Sequence, residues 1–133
     1  MQHDHVAIIT SNPERLKGWY AEKLGFELLH EWSVEQMPGL DLSYIGRDGF
    51  KIEVIGALPD SRTDAEHENP IANLAAGYNH FAIRIEDIEA IMAELQQKGV
   101  TILMPTTRVP QAGIIGAMIS DIDGNLVEFI QKL

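Results

Sequence analysis

The chain has no cysteine and few basic residues, and each scarcity excludes a class of chemistry. Without cysteine there is no disulfide, no thiolate nucleophile and no sulfur ligand, so any bound metal must be held by nitrogen and oxygen. Ten Lys and Arg against twenty Asp and Glu give a formal charge of −10. This charge argues against nucleic acid as a partner, because phosphate binding needs a basic surface.

Long apolar segments are also missing. No run approaches the roughly 20 residues of a membrane helix, and the N-terminus does not show the charged-then-apolar pattern of a signal peptide. We therefore expect a cytoplasmic protein with no membrane partner. Its 133 residues, 45% apolar and 23% charged, are typical of one globular domain.

Two histidines and two glutamates recur at one fixed spacing. His5 and His80 are 75 positions apart, and so are Glu53 and Glu128. Each histidine opens a strand-like run, and each glutamate lies within another such run 48 residues later. A repeat at fixed spacing indicates repeated architecture. Packing alone gives no reason to repeat imidazoles and carboxylates, which are ligands of borderline divalent metals.

The first half of the chain is predicted to contain one helix and four strands. The helix begins near Asn12-Pro13, which favour a helix start, and ends at Gly25. Asp48-Gly49 predicts a tight turn between the last two strands. The strands are predicted at 5–10, 26–33, 40–46 and 50–56.

The second half repeats this order. Its helix is predicted to lie between Ile85 and Gly99, with a loop at 105–113 and a tight turn at Asp123-Gly124. The strands are predicted at 80–85, 100–104, 114–120 and 125–131. The chain is thus expected to be a single α+β domain, 1–133, in which a linker at 57–76 joins a module at 1–56 to a module at 77–133.

Strand parity predicts which side chains accompany Glu53. If Ile45 pairs with Phe50 across the turn, Leu42 lies opposite Glu53 and Tyr44 shares its face. The carboxylate would then lie among apolar side chains, where a charge is costly unless it is paired or bound to a metal.

The same argument applies to Glu128. Pairing of Ser120 with Asn125 places Ala117 opposite Glu128, with Ile115 and Ile119 on the same face. Both glutamates are therefore predicted to lie in mid-strand with apolar neighbours.

Four segments of the chain resemble the vicinal oxygen chelate superfamily, which includes glyoxalase I, methylmalonyl-CoA epimerase, extradiol dioxygenases, fosfomycin-resistance thiol transferases and bleomycin-binding proteins. The segments are DHVAI at 4–8, WYAEKLGF at 19–26, NHFAIRIEDI at 79–88 and DIDGNLVEF at 121–129. The resemblance implies two tandem βαβββ modules that form an open, cup-shaped mixed sheet around a metal site. The implied ligands, from the first and fourth strand of each module, are His5, Glu53, His80 and Glu128.

This His-Glu-His-Glu set is most similar to that of glyoxalase I. It implies a metal-dependent lyase or isomerase that acts on a small 2-oxo or hemithioacetal substrate through a metal-stabilised enediolate, with glutathione as a candidate co-substrate. Glu128 would be the catalytic proton-transfer residue and Glu53 the persistent ligand. The nitrogen and oxygen donors match one divalent Ni, Zn, Co, Mn or Fe ion. The superfamily resemblance also implies a homodimer.

Three further side chains are predicted to contact the small-molecule substrate: Tyr44, Arg84 and Arg108. Tyr44 shares the face of Glu53, and Arg84 shares that of His80. Arg108 lies in the predicted 105–113 loop, which resembles a segment that closes over the site in relatives. Each has a purely structural alternative, which is packing for Tyr44, a salt bridge for Arg84 and a surface connection for Arg108.

Two other functions are open at this point. The first is another enzyme of the superfamily, an epimerase, dioxygenase or thiol transferase, although four protein ligands leave fewer open positions than an oxygenase prefers. The second is a non-enzymatic small-molecule binding or resistance protein. In that case the acidic charge would suit a cationic compound, and Trp32 could stack on it.

Overall fold

The computed structural model describes residues 1–56 and 77–133. The chain divides into two compact units, Met1–Ser61 and Arg62–Leu133. Within the described residues each unit contains one helix and one open four-stranded mixed sheet, which confirms the predicted α+β fold with two βαβββ modules. Across these residues no helix is long and apolar enough to cross a membrane. The predicted linker at 57–76 lies outside the described residues.

The first unit has the strand order β1-β4-β3-β2. Strand β1 runs parallel to β4, and the other neighbours are antiparallel. The elements are β1 (Val6–Ile9), α1 (Pro13–Leu24), β2 (Glu27–Trp32), β3 (Asp41–Arg47) and β4 (Phe50–Gly56).

The second unit repeats this topology with the order β5-β8-β7-β6, in which β5 runs parallel to β8. Its elements are β5 (His80–Arg84), α2 (Ile88–Gln97), β6 (Thr101–Val109), a 3-10 turn (Pro110–Ala112), β7 (Ile114–Ser120) and β8 (Leu126–Lys132).

Both helices begin at a capping side chain. The Asn12 side chain accepts a hydrogen bond from the backbone N–H of Arg15 at 3.0 Å, and Asp87 does the same for Ala90 at 3.0 Å. Helix α1 ends where Gly25 adopts a left-handed conformation with φ of 67°. Each helix packs its apolar side on one face of its sheet. The opposite face of the sheet is left to carry functional side chains.

The predicted register of the first hairpin was wrong by two residues. Tyr44, not Leu42, lies directly opposite Glu53, because Arg47 rather than Ile45 pairs with Phe50. The two loop residues between them, Asp48 and Gly49, have φ of 51° and 81°, the conformation of a two-residue turn that suits strand twist. The prediction that Tyr44 shares the face of Glu53 is confirmed.

The predicted register of the second hairpin was wrong by one residue. Met118, not Ala117, lies opposite Glu128, and Ser120 pairs with Leu126 rather than with Asn125. A one-residue slip exchanges the two faces of a strand. Ala117 and Ile119 therefore lie in the fully buried core instead of beside the glutamate.

The reason for this slip is the side chain of Asp121. Its carboxylate accepts hydrogen bonds from the backbone N–H groups of Asp123 and Asn125 at 2.9 and 2.8 Å, and from the Asn125 amide at 2.8 Å. The Asp121 N–H donates to the Asn125 carbonyl, which closes a three-residue loop with Gly124 at φ of 83°. A loop of this length shifts the register by one residue relative to the first hairpin.

The loop predicted at 105–113 is mostly strand. β6 continues to Val109, and only the 3-10 turn and Gly113 separate it from β7. Pro105 is tolerated because it lies in an irregular part of an edge strand, where the register shifts between Met104 and Thr107.

Candidate metal centre

The first unit brings His5 and Glu53 into contact. His5 precedes β1, and the parallel pairing of β1 with β4 sets Ala7 beside Glu53. The Nε2 atom of His5 lies 3.1 Å from Oε2 of Glu53, and their side chains are 29% and 19% exposed. A nitrogen and an oxygen donor are thus held together at a partly open surface of the sheet.

The second unit contains the same pair in the same relation. His80 opens β5, Ala82 pairs with Glu128, and Nε2 of His80 lies 3.2 Å from Oε2 of the glutamate. The side chains are 33% and 19% exposed. The repeat in sequence is therefore a repeat in geometry.

Each histidine is oriented by the residue before it. Nδ1–H of His5 donates to Oδ2 of Asp4 at 2.6 Å, and Nδ1–H of His80 donates to Oδ1 of Asn79 at 2.7 Å. An acceptor at Nδ1 fixes the tautomer and leaves Nε2 as the nitrogen available to a metal. Sequence reasoning missed Asp4 and Asn79, although they too are 75 positions apart, a signal that could have revealed them.

The two histidines differ in the charge of these partners. Asp4 is a carboxylate that also pairs with the Lys51 ammonium at 2.9 Å, whereas Asn79 is a neutral amide. The hydrogen bond from His5, with that from Lys51, lowers the pKa of Asp4 to about 2. The bond to Asp4 in turn raises the pKa of Lys51. The first pair thus belongs to a charged network, whereas the described partner of His80 at Nδ1 is neutral.

The two glutamates also differ in their neighbours. Tyr44 lies opposite Glu53 and Leu42 is next along the strand, whereas Met118 and Gly116 hold these positions beside Glu128. A Cβ atom added at Gly116 would meet Oε1 of Glu128 at 3.4 Å. The missing side chain leaves room beside that carboxylate oxygen.

The donors present fit a borderline divalent metal. Imidazole nitrogen and carboxylate oxygen suit Zn, Ni, Co, Mn and Fe, and Nε2 and the carboxylate face each other in both pairs. Within residues 1–56 and 77–133 no group of three or more His, Cys, Asp or Glu side chains is placed to hold one ion. The set of four ligands therefore stays a prediction.

The predicted substrate-binding residues lie in different places. The ring of Tyr44 is 5.4 Å from that of His5. Arg84 is exposed at the end of β5 and lies on the same sheet face as His80. Arg108 pairs with Ile115, so it belongs to the face of the sheet opposite to that of Glu128. Their contacts with a substrate stay predictions.

The fold and the pairs together define a class of protein. Two βαβββ modules, each with a His–Glu pair across its parallel strands, have the architecture of the glyoxalase fold. The chain belongs to the Glyoxalase/Bleomycin resistance protein/Dioxygenase superfamily, whose family model matches residues 2–129. Members of this superfamily bind small molecules, usually with a divalent metal, and often dimerise.

Proteins similar to this chain include an epimerase and a glyoxalase family protein. The uncharacterized protein YwkD of Bacillus subtilis (strain 168) is 32% identical over 98 residues, which cover 72% of this chain and 70% of YwkD. The mitochondrial methylmalonyl-CoA epimerase of Bos taurus is 25% identical over 135 residues, which cover 96% of this chain and 73% of the epimerase. The crystal structure of a glyoxalase family protein from Enterococcus faecalis matches with a TM-score of 0.78 and 26% identity, over 97% of this chain and 96% of that one.

Proposed function

We propose that this protein is a metal-dependent lyase or isomerase of glyoxalase I type, which moves a proton at the carbon beside a carbonyl group. The substrate would be a small 2-oxo compound or a hemithioacetal, the latter formed with glutathione. The observation that carries the proposal is the matched His–Glu geometry of the two units. The proposed ligands of one divalent ion are His5, Glu53, His80 and Glu128.

The two glutamates are proposed to have different roles. When bound, a divalent ion stabilises the negative charge that develops on substrate oxygens. Glu128 takes the proton from the carbon beside the carbonyl and returns it to the neighbouring carbon, because the room at Gly116 lets its carboxylate turn. Glu53 faces Tyr44, with Leu42 next along the strand, and stays a ligand.

An epimerase is the second candidate. It is favoured by the 25% identity to bovine methylmalonyl-CoA epimerase across 96% of this chain. The initial step would be the same, removal of a proton beside a carbonyl, but the proton would return to the same carbon on the opposite side. The substrate would then be a branched acyl thioester.

Deuterium exchange tests both candidates in one experiment. The protein, loaded in turn with Ni, Zn, Co, Mn or Fe, is incubated in D₂O with the hemithioacetal of methylglyoxal and glutathione, or with one epimer of methylmalonyl-CoA. NMR that shows a 2-hydroxyacyl thioester supports the lyase. Deuterium at C2 with loss of stereochemistry supports the epimerase. If no metal gives either the 2-hydroxyacyl thioester or deuterium exchange with these substrates, the proposed chemistry is wrong.

Filling the space beside Glu128 should slow the reaction. In Gly116→Ala the new Cβ would contact Oε1 at 3.4 Å, so the carboxylate loses freedom to turn. We expect turnover to fall roughly tenfold with unchanged metal affinity, since small misplacements at a reacting group are costly. Gly18→Ala on α1, where a Cβ meets nothing within 4 Å, is the control and should leave turnover unchanged. Equal turnover in both variants would contradict the proposed motion of Glu128.

We also propose a cytoplasmic homodimer. Among residues 1–56 and 77–133, each four-stranded sheet ends in edge strands, β1 and β2 or β5 and β6, and the backbone groups of such edges favour association. Sedimentation velocity at micromolar concentration should therefore give a dimer. A single monomeric species would refute this state.

A further inference from the structure

Aromatic rings form a continuous row on the sheet face that carries Glu53. His30 pairs across the strands with Tyr44, which pairs with Glu53, so the three side chains share one face. The rings of His30 and Trp32 stack at 5.6 Å with 15° between their planes, and Trp32 lies 4.7 Å from Tyr44. We call His30, Trp32 and Tyr44 the aromatic row, and its Tyr44 end lies 5.4 Å from the ring of His5.

The aromatic row differs from the rings that build the core of the same unit. Trp19, Tyr20 and Phe26 meet edge to face and are 9%, 0% and 5% exposed. In the aromatic row, His30 is exposed and Trp32 is half-buried, although His30 and Trp32 are nearly parallel. Stacked rings that keep contact with solvent can take up a further flat ring.

The fold does not require these rings. In the second unit the corresponding ladder runs from Met104 through Met118 to Glu128, with no aromatic side chain. Flexible aliphatic side chains therefore suffice structurally where the first unit has His30 and Tyr44. Packing therefore does not explain the rings of the aromatic row. Because the Tyr44 ring lies 5.4 Å from that of His5, the row is placed to contact a ligand bound at the His5–Glu53 pair.

A charge at the Tyr44 end limits where such a ligand can lie. The Lys51 ammonium sits 4.5 Å from the centroid of the Tyr44 ring and occupies one face of it. Trp32 lies on β2, on the other side of β3 from β1 and His5, and it offers the larger ring surface. A ring stacked on Trp32 is thus one aromatic side chain away from His5, close enough for a short chain of carbonyl carbons to reach the His–Glu pair.

We propose that the aromatic row binds a flat aromatic ring of the substrate, so the preferred substrates are aryl-substituted 2-oxo or 2-hydroxy carbonyl compounds. The ring stacks on Trp32, and the adjacent oxygens lie at His5 and Glu53. The substrate class rests on the proposed function, because the position of the oxygens assumes a metal there. The ring site itself does not depend on the metal.

Two hydroxamates test this site by calorimetry on metal-loaded protein. Both chelate through adjacent oxygens, but benzohydroxamate has a ring and acetohydroxamate has none. We expect the wild type to bind benzohydroxamate roughly tenfold more tightly, the scale of one aromatic stacking contact. In Trp32→Leu the ratio of the two affinities should fall to about one. Trp19→Phe, a change in the buried core, should keep the wild-type ratio.

The outcomes separate the ring site from the metal proposal. Equal affinities in the wild type, or a ratio that survives Trp32→Leu, would overturn the ring site. If neither hydroxamate binds, the metal proposal fails, and the ring site is then tested with benzamide. Benzamide binding that is lost in Trp32→Leu would support the ring site. No benzamide binding to the wild type would overturn it. If Trp32→Leu instead changes only the sedimentation coefficient, the aromatic row is an interface between copies, and the proposal is wrong.

Discussion

Replacing Glu128 with glutamine should reduce turnover by ~10²–10⁴-fold, the usual effect of losing a general base. Glutamine keeps the size and one oxygen of the side chain but cannot accept the proton. The affinity for metal should fall much less than turnover, because His5, Glu53 and His80 remain in the proposed set of metal ligands. The measurement is steady-state turnover beside metal titration of the same preparation.

Glu53→Gln is the matched variant and should behave differently. Glu53 has Tyr44 opposite and Leu42 at the position that Gly116 holds beside Glu128, so we propose it as the persistent ligand. Its loss should weaken metal binding, and activity should partly recover at high metal concentration. The reverse pattern would exchange the two roles. Equal small effects from both variants would reject a mechanism based on either glutamate.

Metal removal should produce the largest change in stability. An ion that binds only the folded chain stabilises it by mass action, by about 2.7 kcal/mol when free metal is a hundred times Kd. Because the proposed ligands come from both halves of the sequence, calorimetry should show a Tm several degrees higher with metal than with EDTA.

Single histidine variants show whether the proposed ligands cause this shift. His5→Ala and His80→Ala should each remove most of the gain, since each loses the imidazole that faces a glutamate at 3.1 or 3.2 Å. His30→Ala, which removes an exposed histidine outside the proposed ligand set, should retain the gain. If EDTA leaves the Tm of metal-loaded protein unchanged, the four residues do not form a metal site.

Local signals were sufficient to predict the order of the helices and strands, although not the end of β6. Pro13 and Gly25 delimit α1, and Asp-Gly pairs occur in both hairpin loops, as the structure confirms. The register was not predictable in this way, because the same dipeptide occurs in a two-residue and a three-residue loop. The difference depends on the hydrogen bonds of Asp121, which form only when the loop has closed.

The sequence indicated the residues of the candidate site, whose shared role as metal ligands stays a prediction. The 75-residue offset singled out two His–Glu pairs, and the structure brings His5 to Glu53 and His80 to Glu128. The surroundings of Glu128 could not be predicted, because a one-residue error in register replaced Met118 with Ala117 as its neighbour. The loop predicted at 105–113 likewise misplaced Arg108, which lies in β6.

The unequal hairpin loops make the two glutamates inequivalent. Two halves with identical surroundings would offer a substrate two equivalent carboxylates, and either one could act as the base. The three-residue loop of the second unit sets Met118 beside Glu128, whereas the two-residue loop of the first sets Tyr44 beside Glu53. One added loop residue is thus enough to give the two carboxylates different neighbours, so the proposed base and the proposed persistent ligand can differ without any change in the four proposed ligand residues.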